Sequence, residues 1–387
     1  MPALKKRSRL SEHIEPVSSG VAQIRLDETS CLHVAHRDPL SADALLVRLP
    51  ELNAAADVPQ LVTSFRELLW RAREIELTDV ADRLAAMRDV GMLLSSLQRH
   101  GVEPLEAAPE GTNALLAWGL SVDMVPRDTV LHYGVWNPRG KRQRMFLGDR
   151  EANVIIDAVR VGTILIDDIA PTIAGLAEIH PGDTAFGEIC HTAADQLQTL
   201  PELMNDVYRN VDPVDFYAAR LRPFMADVVI ADRQYYGPAP VHVPLYLIDR
   251  LVWSADHGDA DLRYFQHDLV KYALPHWRRL FERTEGTPSL ITRLVREFDR
   301  PTGPPPTKLA DAMDGAIRIM NALVTFRTLH NRMAGGAYTD ATRHPTGMAG
   351  VSPGLLDHIL TLTHDCATRT CARRTGIRTH SRDPHSL

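Results

Sequence analysis

One imidazole stands where an oily helix face ought to continue. From Leu309 the apolar residues Ala312, Met313, Ala316, Met320, Leu323 and Phe326 recur at steps of three and four, and His330 and Met333 extend the stripe. Two chemistries fit a histidine so placed. It is a core side chain bonded to a backbone carbonyl, or it is a neutral nitrogen donor on a rigid element, as an axial haem ligand must be. The second reading needs a cation near the porphyrin propionates. Arg327, about one turn earlier, could supply it, although a solvated helix arginine explains that residue equally well. Gly335-Gly336 is expected to break the helix, Tyr338 follows, and Gly347-Met348-Ala349-Gly350 is a small-residue loop that lets backbone approach a ligand closely. Taken alone, these residues leave both readings open.

Other stretches narrow the choice. Asp38-Pro39-Leu40, Leu49-Pro50-Glu51-Leu52-Asn53, Leu97-Gln98-Arg99-His100-Gly101, Leu131-His132-Tyr133-Gly134-Val135-Trp136-Asn137-Pro138, Leu221-Arg222-Pro223-Phe224 and Phe326-Arg327 with His330 occur in that order. Through them the sequence resembles the monodechloroaminopyrrolnitrin synthase family, and more distantly the indoleamine and tryptophan dioxygenases, from about residue 36 to 366. The resemblance implies a haem b cofactor, with His330 as the iron ligand and Arg327 on a propionate. It also implies a distal pocket built from the Gly237 to Pro244 loop, Tyr338 near the substrate, and the loop of Gly347, Met348, Ala349 and Gly350. The implied activity is an oxidative enzyme of secondary metabolism. Its substrate would be an aromatic amino acid, tryptophan or a derivative, and its oxidant O2 or H2O2.

This sequence departs from the family pattern twice. Met348 or Ala349 stands where a hydroxyl residue is expected, which removes a hydrogen-bond donor beside the substrate. His242 replaces an acid in the loop after Gly237. A histidine in a wet loop is ordinarily solvated; facing the haem, it could take or give a proton, since its unperturbed pKa lies near neutrality. A haem-dependent aromatic hydroxylase or peroxygenase with a non-indole substrate is therefore one alternative, and a non-catalytic haem-binding sensor is another.

Composition limits the remaining classes. The chain has 387 residues, 44% of them apolar, so it can bury a substantial core. A net charge of -6 gives no general affinity for nucleic acid or membranes, and the basic residues near both ends read as solvated tails. The four cysteines have no paired metal-site spacing, and His364 with Cys366 and Cys371 does not match a covalent haem tether. Phosphate-loop, zinc-protease and serine-hydrolase motifs do not occur. Without a signal-like apolar segment or a membrane-length run, a cytoplasmic location is expected. A homodimer is compatible with all of this.

The elements that must position these residues read as all-α. A large helical bundle would enclose the haem, with a smaller N-terminal helical layer and one short β-hairpin. The expected divisions are a tail over 1-36, a helical region over 37-125, a haem-binding helical domain over 126-368 and a basic tail over 369-387. Thr129 to Asn137 alternates like a strand, and Gln143 to Leu147 could pair with it. Glu151 to Leu176 reads as helix despite its β-branched residues. Val243 to Trp253 reads as an amphipathic helix in which Trp253 packs inward while Asp249 and Arg250 can face water. A helix over Asp261 to Phe281 is expected to bend near Pro275, and the proline-rich residues 301 to 306 to form a stiff connector.

Overall fold

Aspartates and serines at chain turns start many of the helices. Asp57 accepts from the Gln60 amide, Asp79 from Ala81, Asp259 from Leu262 and Ser289 from Thr292, so each satisfies a donor that the first helical turn leaves open. The helix Val80–Arg99 ends as its sequence predicts. Gly101 takes φ of +77°, and the amides of Gly101 and Val102 return to the carbonyls of Gln98 and Leu97, closing the C-terminus with a glycine.

The computed structural model describes residues 24–300, 307–337 and 352–375. Among these the fold is all-α with one two-stranded antiparallel hairpin. The N-terminal layer runs from Glu28–His36 through Val58–Glu74 and Val80–Arg99 to Glu110–Ser121. Glu28–His36 already contributes Cys31 and Val34 to the core, so the ordered layer begins before residue 37. The bundle that follows is centred on the long helix Thr307–Ala337, which packs against Thr184–Leu197, Thr199–Asn210 and Pro353–Thr375.

Buried side chains form two cores. The first joins the N-terminal layer to Val228, Tyr246, Trp277 and Met333; the second gathers Ile166, Phe186, Trp253, Leu294, Met320 and Leu323. Phe326, Val243 and Phe265 pack against both, so the stripe that leads to His330 lies on the seam between them.

Several local expectations change. The hairpin is Val228–Ile230 with Arg233–Tyr235, turned through Ala231 and Asp232 at φ of +48° and +61°. Residues 130–133 are instead a short helix. Thr129 accepts from the Leu131 amide and the ring of His132 accepts from the Thr129 amide, a reciprocal cap that a strand cannot make. Arginine side chains then take the place of a strand partner: Arg88 donates to the Trp136 carbonyl, and Arg160 to those of Gly134 and Asn137. The apparent alternation of this segment misleads because both of its faces are buried.

The helix Arg150–Gly175 forms as expected, and the segment after Asp261 is broken before Pro275. Gly335 and Gly336 do not end the long helix, which continues to Ala337; Gly336 faces Pro213 so closely that a Cβ would lie 2.8 Å from its ring. The last helix extends to Thr375, with Thr370 and Ala372 buried and Arg374 paired to Asp314, so order persists beyond Arg369. The connector 301–306 lies outside the described residues.

Candidate functional site

The long helix carries Arg327 and His330 into the seam. Arg327 is buried, and its Nη2 donates to Asp249, on the short helix Leu245–Asp249. Asp249 also accepts from Trp253 Nε1 at 3.0 Å. The Nη1 of Arg327 is buried without a hydrogen-bond partner among the described residues. This corrects the water-facing expectation for Asp249 and Arg250, which are 4% and 2% exposed. Arg250 donates to Thr284 Oγ1 at 2.7 Å, pairs with Glu285 and lies over the Phe281 ring. Each side chain has a partner that offsets part of its loss of water.

His330 makes no hydrogen bond among the described residues; its ring lies parallel to Phe326 at 6.0 Å. Burial, followed by the Arg327 charge, pulls its pKa down to about 4, so the ring is neutral near pH 7. Protein surrounds the imidazole, yet the residue keeps partial exposure.

His242 closes a short 3-10 turn, Pro240–His242, and is 5% exposed, not solvated. Its ring stacks on Tyr272 at 4.5 Å and 14°, and Tyr236 lies parallel beyond at 6.4 Å. Neither ring nitrogen has a partner among the described residues. Burial, then the Arg127 charge, brings its pKa to about 3, which removes the reason for expecting a proton shuttle at neutral pH.

Gly237 has a packing explanation: a Cβ there would stand 2.0 Å from the Met225 carbonyl oxygen, and its amide donates to Asp227. Tyr338 and the loop of Gly347, Met348, Ala349 and Gly350 lie outside the described residues. His132 is structural, capped to Thr129 and set edge-on to Trp136 at 4.8 Å, with Nε2 unbonded.

The arrangement thus joins the long helix to the element that follows the 237–244 loop, through the Arg327–Asp249 pair. Asp249 is the residue that sequence reasoning missed. Its spacing of four from Trp253 placed the two on one helix face, and that was the available signal. The donor set suits a haem: a neutral imidazole with no protein hydrogen bond, on a helix lined by Phe326, Leu329 and Met333, and one turn from a buried guanidinium with an unused donor. In the described residues no three His, Cys, Asp or Glu side chains gather as a metal site.

No described helix is long and apolar enough to cross a membrane. The profile of the family described as monodechloroaminopyrrolnitrin synthase PrnB matches residues 33–387, nearly the whole chain. The protein therefore belongs to the monodechloroaminopyrrolnitrin synthase family and is a haem-dependent oxidoreductase of secondary metabolism acting on a tryptophan-derived substrate.

Proposed function

We propose that His330 is the iron ligand and that the protein oxidises tryptophan or a close indole derivative with O2 or H2O2. The observation that carries this reading is the unbonded, neutral imidazole of His330, one turn after the half-satisfied Arg327. The haem, when bound, supplies the oxidative electronics; the protein supplies position, dryness and charge. Asp249 clamps Nη2 of Arg327 and so aims the remaining Nη1, which would meet a propionate. His330 needs no proton removed before it can donate its lone pair, because burial already keeps it neutral.

On the opposite side, the 237–244 loop, Tyr338 and the Gly347 to Gly350 loop would enclose the substrate ring. His242, neutral and with both nitrogens unbonded, would hold a substrate polar group as donor or acceptor instead of acting as an acid. The expected region of residues 126-368 would form this haem-binding unit.

The test is product mass spectrometry after the haem-loaded protein is incubated with tryptophan and tyrosine derivatives. Conversion of an indole substrate supports the proposal. Conversion of phenolic substrates alone would select the non-indole hydroxylase, in keeping with the lost hydroxyl at Met348 or Ala349. Bound haem without turnover of any substrate would select a sensor.

A further inference from the structure

We propose that a cleft beside the hairpin, backed by Tyr272 where that ring stacks on His242, binds a small planar aromatic acid at a site that includes neither Arg327 nor His330. The cleft, about 320 Å³, lies between the turn at Asp123 to Pro126, the strand residues Arg233 and Tyr235, and the turn carrying Lys271 and Tyr272. That size is at the lower end of the roughly 300–1,000 Å³ found for small-molecule sites. It suits one bicyclic ring system bearing one acidic group.

The walls favour an aromatic ligand. Tyr235 and Tyr272 line the cleft together with Met124, Val125 and Pro126. Tyr272 is held in place: its ring lies parallel to two neighbours, 4.5 Å from His242 and 5.4 Å from Tyr236, and its Oη accepts from the Tyr236 amide at 2.8 Å. Buried Arg127 fixes the opposite wall by donating to the Tyr235 carbonyl at 3.3 Å. A preformed aromatic wall loses little freedom when a ring stacks on it.

The rim favours an acid. Arg278 is neutralised by Asp123 at 2.6 Å, and Lys271 faces Asp268 at 2.7 Å. Arg233 has no carboxylate partner among the described residues; its guanidinium lies 5.3 Å over the Tyr235 ring. In a protein of net charge -6, the cleft therefore keeps an uncompensated guanidinium directly above an aromatic surface. A ligand carboxylate can take the guanidinium fork while its ring contacts the tyrosines. A bare anion would use only half of these features.

Equilibrium dialysis of the haem-loaded full chain with indole-3-acetate, with the Soret band recorded in parallel, tests the proposal. The expected result is one equivalent bound with the Soret band unmoved. Arg233→Ala combined with Lys271→Ala should raise Kd about tenfold or more, equivalent to ~1.4 kcal/mol. Both side chains are exposed, so the variant should keep the wild-type far-ultraviolet dichroism, and unchanged haem content would show that the proposed haem site is untouched. Absence of binding, binding unaffected by the double substitution, a ligand that moves the Soret band, or full displacement by an equal concentration of inorganic phosphate would each overturn the assignment.

Discussion

Two buried arginines show how differently this fold treats charge. Arg144 is held in the N-terminal core with every guanidinium nitrogen engaged: Nε on Asp89, Nη1 on the Arg142 carbonyl and Nη2 on Asp43. Arg88 beside it is equally complete, bonding Asp89 and the carbonyls of Trp136 and Arg37. Arg327, in the seam between the cores, has a carboxylate on one nitrogen and nothing on another. An unmade hydrogen bond to a buried charged group costs on the order of 1–3 kcal/mol or more, so a fold retains one where something else completes it. The closed cluster around Asp89 is structural, whereas Arg327 keeps a buried donor without a partner among the described residues.

The largest effect should come from breaking the closed cluster. Asp89→Ala leaves two buried guanidinium groups short of their shared counter-charge, and urea denaturation should register a loss of about 3–5 kcal/mol. Haem content per folded chain should stay at the wild-type level. Asp249→Asn removes the charge opposite Arg327 and should cost about 2 kcal/mol in the haem-free protein. If a propionate then meets Arg327, the loss should be smaller once haem is bound; equal losses in both forms would erase the distinction between the two arginines.

Acid should separate the regions by pH. His330 and His242 have folded-state pKa values lowered to about 4 and about 3, against ~6.5 when unfolded. The unfolded chain therefore takes up protons first, and stability should fall from about pH 6.5 downward, by at most ~1.4 kcal/mol per pH unit per group. Asp89 shifts the other way. Burial opposes its charge, but the charges and hydrogen bonds of Arg88 and Arg144 outweigh that and lower its pKa below the carboxylate value of 3.8, so its contribution is lost only in stronger acid. A denaturation series from pH 7 to pH 3 on wild type and His242→Phe should show a shallower slope above pH 4 in the variant. The smallest expected effect is on haem affinity: Arg327→Met should weaken binding about tenfold, measured by haem transfer to an acceptor protein.

Much of the fold was legible because the helices announce themselves locally. The apolar recurrence up to Phe326 and the glycine stop at Gly101 each depend on neighbouring residues alone. The failures share a cause in contacts between distant residues. Thr129 to Asn137 alternates like a strand, but its backbone is satisfied by Arg88 and Arg160, which no local pattern reveals. Asp249 looked solvent-facing because its partner lies 78 positions away. His242 looked wet because its loop is rich in proline, whereas Tyr272 and Tyr236 enclose it. For the candidate site, the apolar stripe left His330 and Arg327 open to two readings and the resemblance chose between them, but only the structure shows that, among the described residues, one is unbonded and the other half-satisfied.

The central claim rests on a single nitrogen-to-iron bond at residue 330. The ferrous-CO spectrum of haem-reconstituted His330→Gly, recorded before and after adding imidazole, tests it most directly. The account predicts that the substitution removes the histidine-ligated Soret signature and that free imidazole restores it. A histidine-ligated spectrum identical to wild type in the variant without imidazole would contradict it.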